Sequence, residues 1–124
     1  DKSEAEINVK SDNTSVELSK NSELKALIIS KDLKLDMYQK SKAEIEGNSK
    51  NAKLRLDNNS LLTAKNLIIA DLELNIENYA KCFINVTNSF LLMASGKTEI
   101  ELLGDSKIQI SKFTNNATLY KKEK

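Results

Sequence analysis

Apolar and polar residues alternate in short runs along the chain, and polar segments separate these runs. The clearest runs lie within residues 74–104 and are Leu74/Ile76, Cys82/Ile84, Leu92/Ala94 and Ile100/Leu102. A period of two places alternate side chains on one face of an extended chain, so the pattern predicts β-strands. Residues 23–37 are also expected to be strand rather than helix, because Ile28 and Ile29 are adjacent β-branched residues.

The runs sort into two columns, and both columns recur with similar steps. The first column is Val9, Ile29, Ile45, Ala64, Ile84, Leu102 and Leu119, with steps of 20, 16, 19, 20, 18 and 17 residues. The second column is Leu18, Leu35, Leu56, Ile76, Ala94 and Ile110, with steps of 17, 21, 20, 18 and 16 residues. Leu27 and Ile29 are both expected to point inward.

Two columns that share a step size indicate stacked coils of a β-solenoid, in which each coil buries its apolar side chains against its neighbours. We therefore predict one all-β domain over residues 1–124, a parallel β-helix of about six short coils. An antiparallel β-sandwich remains the alternative, because period-two runs do not determine strand direction.

Composition excludes several classes of function. The 124 residues contain 19 Lys and Arg against 18 Asp and Glu, with no His and no Trp. A nearly neutral, evenly mixed chain lacks the basic patch of a nucleic-acid-binding protein. Without His, neither His-based catalysis nor most zinc sites can form, and no cofactor is predicted. The single Cys82 is expected to be a buried hydrophobe.

The chain has no apolar run near the ~20 residues of a membrane-spanning helix. It begins with Asp1 rather than Met, in a polar segment. We expect a chain shortened at its N-terminus, so that a signal peptide or lipidation site would lie upstream of this sequence.

Four segments resemble a repeat of the form hydrophobic-x-hydrophobic-Ser-Gly-Ala-Ser-x-hydrophobic-x-hydrophobic. They are residues 35–42 (LDMYQKSK), 56–60 (LDNNS), 76–80 (IENYA) and 94–98 (ASGKT). Residues 84–89 (INVTNS) and 104–113 (GDSKIQISKF) resemble two further segments of the proteins that carry this repeat. Over residues 24–120 the chain is similar to the bacterial "putative autotransporter adhesin head GIN domain" family.

The chain departs from the family pattern at the turns, where it keeps glycine only at Gly96. Elsewhere the glycine is replaced by Gln39 or Lys40, by Asn58 or Asn59, and by Asn78 or Tyr79. Asn tolerates left-handed backbone better than most residues do, whereas Lys and Tyr fit it less well. The resemblance implies a right-handed parallel β-helix with a presumed adhesive role. It also implies export to the periplasm, the outer-membrane surface or the extracellular space, and it carries over no active-site residue.

Three acidic residues follow strands in successive coils and form the strongest candidate site. Asp36, Asp57 and Glu77 come directly after Leu35, Leu56 and Ile76, so equal register would place neighbouring carboxylates about 5 Å apart. Such a column could bind a cation such as Ca²⁺, or raise one pKa for acid–base chemistry. The competing interpretation is that each carboxylate caps its own turn. Asp32, Asp71 and Asp105 are expected to be ordinary turn residues.

Five further side chains are candidates for an interaction surface. Tyr38 and Tyr79 are expected in one turn column, where exposed rings could stack on a sugar. Phe83, Leu91 and Met93 are expected to point outward and to form an apolar patch for a second copy or another partner.

These observations favour a non-catalytic, adhesin-like structural or binding module of the cell envelope or of the secreted fraction. Its partner would be a surface glycan or a protein, or a second copy in a homo-oligomer. Two alternatives stay open. One is a pectinase-like β-helix enzyme that uses Asp36, Asp57 and Glu77, and the other is a self-assembling, bactofilin-like scaffold.

Overall fold

The computed structural model describes residues 4–113 and 116–121, and within these ranges the chain forms strands and no helix. The strands are β1 (Glu4–Leu18), β2 (Glu23–Met37), β3 (Lys42–Leu56), β4 (Leu61–Glu77), β5 (Lys81–Ser95), β6 (Glu99–Leu103), β7 (Lys107–Phe113) and β8 (Thr118–Lys121). Every strand pairs in parallel with its neighbours. The antiparallel sandwich is therefore wrong, and the predicted parallel solenoid of about six turns is confirmed.

The strand order follows the chain, as expected when each coil stacks on the one before it. The sheet runs β1-β2-β3-β4-β5-β6-β8, and β7 pairs with β5. The first half of β5 thus pairs with β6 and its second half with β7. Together β6 and β7 make one coil, and β8 begins the next.

Most strands are longer than the alternating runs predicted. Residues 11–15 and 47–49, which are polar segments between the alternating runs, lie inside β1 and β3 and not in turns. A parallel ladder can bend without losing its hydrogen bonds, because each coil bends at the same place as its neighbours. The polar residues there mark a change of direction within one continuous strand.

The core is a stack of aliphatic side chains from β2 to β6, with little aromatic content beyond Phe90. One part of the predicted core is wrong. Leu27 and Ile29 are 42% and 38% exposed, whereas Ala26 and Ile28 are 4% and 0% exposed. In the segment LKALII either phase of alternation is apolar, so only register with the neighbouring coil decides which side chains enter the core.

The predicted columns are also displaced at several coils. Leu56 stacks on Met37 rather than on Leu35, and Val9 stacks on Ile28 rather than on Ile29. At the C-terminal end, the last residue of each predicted column pairs two residues away from the expected partner. Ile110 pairs with Leu92 and not with Ala94, and Leu119 pairs with Ile100 and not with Leu102. The true spacing between β1, β2 and β3 is a constant 19 residues.

Cys82 is fully buried in the core, as predicted. Burial in apolar surroundings disfavours the thiolate and raises the pKa of the Cys82 thiol strongly. The side chain therefore acts as a small hydrophobe.

Candidate ligand-binding groove

The coils turn at one corner through residues in left-handed conformation, two in each of the first four turns and Gly96 alone in the fifth. This turn corner comprises residues 19–22, 38–41, 57–60, 77–80 and 95–98. Positive φ angles occur at Lys20, Asn21, Gln39, Lys40, Asn58, Asn59, Asn78 and Tyr79, between 51° and 70°, and at Gly96. The replacements for glycine that the sequence suggested all adopt this conformation, including Lys40 and Tyr79.

Asp57 caps its own turn. Its Oδ1 accepts hydrogen bonds from the Asn58 N–H at 2.8 Å and from Asn78 Nδ2 of the next coil at 2.8 Å. The capping interpretation is confirmed for this residue.

The predicted acidic column does not form. Asp36 pairs in register with Glu17 and Arg55, two positions before the turn corner, so it is not equivalent to Asp57. Glu77 occupies the position of Asp57, one residue after the paired Leu56 and Ile76. Within residues 4–113 and 116–121, no three acidic or Cys side chains are grouped to hold a metal ion. The prediction placed the end of β2 two residues too early, because Met37 and not Leu35 pairs with Leu56.

The two predicted sugar-stacking tyrosines occupy different positions of the turn. Tyr38 is the first residue of its turn, and its carbonyl accepts from Ser41 N–H. The equivalent first residue of the later turn is Glu77, and Tyr79 lies two positions further on. Tyr38 is half-buried beneath Arg55, whose guanidinium lies 5.9 Å from the ring centroid, whereas Tyr79 is 64% exposed.

The predicted apolar patch is divided and only half-exposed. Phe83 pairs with Thr63 and Glu101 in the first half of β5, and the Lys65 ammonium lies 4.8 Å from its ring centroid. Leu91 and Met93 lie in the second half of β5, beyond a bend, and all three side chains are only half-exposed. Phe83 therefore lies in a different half of β5 from Leu91 and Met93, and whether these side chains bind a partner stays a prediction.

A groove of about 960 Å³ crosses all six coils. We call it the axial groove. Each coil contributes three consecutive residues. One wall is the column Asn13, Asp32, Asn51, Asp71, Ser89 and Lys107. The other wall is the column Ser15, Lys34, Lys53, Glu73, Leu91 and Gln109. Between them the floor is formed by Thr14, Leu33, Ala52, Leu72, Phe90 and Ile108.

The first wall follows a bend inside each long strand. We define the bend segments as residues 9–13, 28–32, 47–51 and 67–71, which are in register with one another. In three coils a Ser hydroxyl donates to the carbonyl two residues later: Ser11 to Asn13, Ser30 to Asp32 and Ser49 to Asn51, at 3.1, 2.9 and 2.9 Å. These bonds hold the strand bent and orient the next side chain into the wall.

Side chains of the first wall also bond along the solenoid axis. Asn51 Nδ2 donates to Asp32 Oδ1 at 3.1 Å. Asp71 Oδ1 accepts from Ser89 Oγ at 2.6 Å and from Asn88 Nδ2 at 2.7 Å. These two hydrogen bonds, the Ser89 bond first, lower the pKa of the Asp71 carboxyl below its ordinary value of 3.8. An amide or hydroxyl beside each carboxylate avoids repulsion between neighbouring acids.

Sequence reasoning treated Asp32 and Asp71 as ordinary turn residues and so missed this wall. A usable signal was present, because Asn13, Asp32, Asn51 and Asp71 recur in steps of 19, 19 and 20 residues. That column is more regular than either apolar column used to find the coils. The sequence did not predict this wall, because recurring polar residues between apolar runs were all interpreted as turns.

A second exposed feature lies at the C-terminal end, where β7 pairs only with β5 in the described part of the chain. Its inward positions Ile108, Ile110 and Phe113 are 37%, 49% and 40% exposed. The β5 residues paired with them, Phe90, Leu92 and Ala94, are at most 1% exposed. The core is therefore open at this end of the described chain.

The chain belongs to the family described as "Putative auto-transporter adhesin, head GIN domain", whose model matches residues 2–106. The match begins earlier and ends earlier than the span of residues 24–120 over which the resemblance was apparent. No curated protein and no solved structure gives a match to this chain. In the described residues no helix is long and apolar enough to cross a membrane.

Proposed function

We propose that this domain is a non-catalytic, adhesin-like binding module that is exported to the cell envelope or secreted. The observation that carries the proposal is the axial groove, which presents two rows of side chains along the whole solenoid. A parallel solenoid is rigid along its axis because each coil is bonded to both neighbours. Membership of an adhesin head-domain family supports the same function.

Beads coated with the domain test the adhesive function. We expect them to adhere to bacterial or host-cell layers more strongly than albumin-coated beads do. Adhesion no greater than that of albumin would contradict the proposal. Fractionation of the native organism tests export, and a protein confined to the cytoplasm would overturn that part.

The enzymatic alternative receives less support, because Asp36 does not share a register position with Asp57 and Glu77. Prolonged incubation with polygalacturonate and neutral polysaccharides should release no reducing ends. If the purified protein releases reducing ends and Asp57→Asn does not, the domain is a glycan-cleaving enzyme and not a non-catalytic binding module.

A second candidate function, the self-assembling scaffold, is favoured by the open C-terminal end. In this scaffold the open C-terminal end of one copy would bind the β1 end of a second copy. Strand β1 contains one basic residue, Lys10, and four acidic residues, Glu4, Glu6, Asp12 and Glu17. The exposed strands β7 and β8 carry Lys107, Lys112 and Lys121, and neither strand contains an acidic residue. Opposite charge would steer the two ends together.

Sedimentation velocity over a range of concentrations tests this scaffold. Polymers that dissociate in Ile110→Lys, and that weaken in high salt, would support it. A concentration-independent monomer would exclude it. Neither outcome alters the adhesion test.

A further inference from the structure

We infer that the axial groove binds a linear, uncharged polysaccharide whose chain lies parallel to the solenoid axis. The inference rests on the proposed adhesive function and assigns it a chemical class of ligand.

The shape of the groove favours a linear polymer. It crosses six coils, so five spacings of about 4.8 Å give a length of about 24 Å. Each coil contributes the same three positions, so similar groups recur along its length. A compact metabolite would contact one or two coils, whereas an extended chain would meet equivalent groups in every coil.

The charge of the groove favours a neutral chain. Its walls carry the cations Lys34, Lys53 and Lys107 and the anions Asp32, Asp71 and Glu73. Lys53 and Glu73 also pair with each other, with Nζ and Oε2 separated by 3.4 Å. A polyanion or a polycation would meet as much repulsion as attraction along such a surface.

The backbone of the groove argues against an extended peptide. Peptides bind to sheets mainly by adding a strand to an unpaired edge. Here the four middle coils are paired on both sides through the groove residues, so their backbone groups are already used. What remains for a ligand is side-chain carboxylate, amide and hydroxyl groups, which bond well to the hydroxyls of a sugar.

The groove provides no exposed aromatic platform, because Phe90 at its floor is 1% exposed. Binding would therefore depend on many weak hydrogen bonds and on few stacking contacts. We expect affinity to increase with oligosaccharide length until the chain spans the groove.

Binding of soluble polymers to the purified domain tests the inference. The probes are hydroxyethylcellulose and amylose as neutral chains, polygalacturonate as a polyanion and chitosan as a polycation. We expect the neutral chains to bind best. Asn51→Tyr, which fills the middle of the groove from an exposed wall position, should weaken that binding by about tenfold or more. Asn48→Tyr is the matched control, since it makes the same exchange at an exposed position of β3 outside the groove, and it should bind as the parent does.

Three results would overturn the inference. They are preference for a charged polymer, no binding to any of the four, and equal loss in Asn51→Tyr and Asn48→Tyr. Circular dichroism of both variants verifies that they fold. Bead adhesion that persists without polysaccharide binding would keep the adhesive function and reject this ligand class, so the two proposals can fail separately.

Discussion

The turn corner and the bend segments change the direction of the same coils by different physical means. At the turn corner each of the first four turns places two residues in left-handed backbone, and the identity of the pair varies from Gln-Lys to Asn-Tyr. In the bend segments the chain remains a β-strand. Its bent conformation is stabilised by hydrogen bonds from Ser hydroxyls to the backbone and by side-chain hydrogen bonds between coils. The first corner depends on what the backbone tolerates. The second depends on which side chains are present, and it forms one wall of the axial groove.

The largest expected effect tests this contrast with two glycines. Gly47 in a bend segment has φ of +122°, and an added Cβ would lie 2.0 Å from the Ile28 carbonyl oxygen of the preceding coil. Gly96 at the turn corner has φ of +72°, and its added Cβ would lie 3.1 Å from the nearest atom. We expect Gly47→Ala to lower the free energy of unfolding by about 3 kcal/mol. Gly96→Ala should lower it by only about 1 kcal/mol.

Urea denaturation followed by far-ultraviolet circular dichroism measures both values. Equal costs at the two positions would mean that the bend segments tolerate substitution as the turn corner does, and the contrast would be lost.

A smaller effect of opposite sign is expected within the turn corner. Tyr79 is exposed and has φ of +70°, a conformation that glycine adopts without steric cost. We expect Tyr79→Gly to raise the free energy of unfolding by about 0.5–1 kcal/mol. Tyr38→Gly is the control, because Tyr38 lies outside the positive-φ set and contacts Arg55, and it should destabilise the fold. Stabilisation by both changes, or by neither, would show that left-handed strain is not what distinguishes Tyr79.

The smallest effect concerns acid sensitivity of the bend segments. The pKa of Asp71 is lowered by its hydrogen bonds to Ser89 and Asn88, so the folded state favours the ionised carboxylate. Its contribution to stability is present above the ordinary pKa of 3.8 and is lost as the pH falls through the lower folded value. We expect the urea midpoint to fall as the pH drops below about 4.

In Asp71→Asn this acid-dependent decrease should be smaller than in the parent. Asp36→Asn, which leaves the Asp71 hydrogen bonds unchanged, should retain it. A decrease of the same size in parent and Asp71→Asn would contradict the role assigned to these hydrogen bonds.

Much of the architecture could be predicted from the alternating pattern, because stacking of similar coils imposes a repeated step. The prediction was wrong where the sequence of one coil did not determine which of its alternating side chains point inward. Ala26 and Ile28 enter the core while Leu27 and Ile29 do not, although all four are apolar. The same uncertainty of one or two residues misplaced Asp36 and Tyr38 relative to Asp57 and Tyr79. Because the candidate acidic site depended on equal register, a shift of two residues removed it.

The sequence by itself determined that this protein is a repeating all-β chain with an aliphatic core, an inward Cys82 and no histidine chemistry. It also determined the family, since the repeat segments carry the resemblance that the family match confirms. Only the tertiary structure decided strand direction, register and the place where the coils bend. Asn13, Asp32, Asn51 and Asp71 are ordinary polar residues in the chain, and stacking brings them together as one wall. The physical reason is that period-two alternation specifies faces within a strand, whereas a groove along the axis exists only between coils.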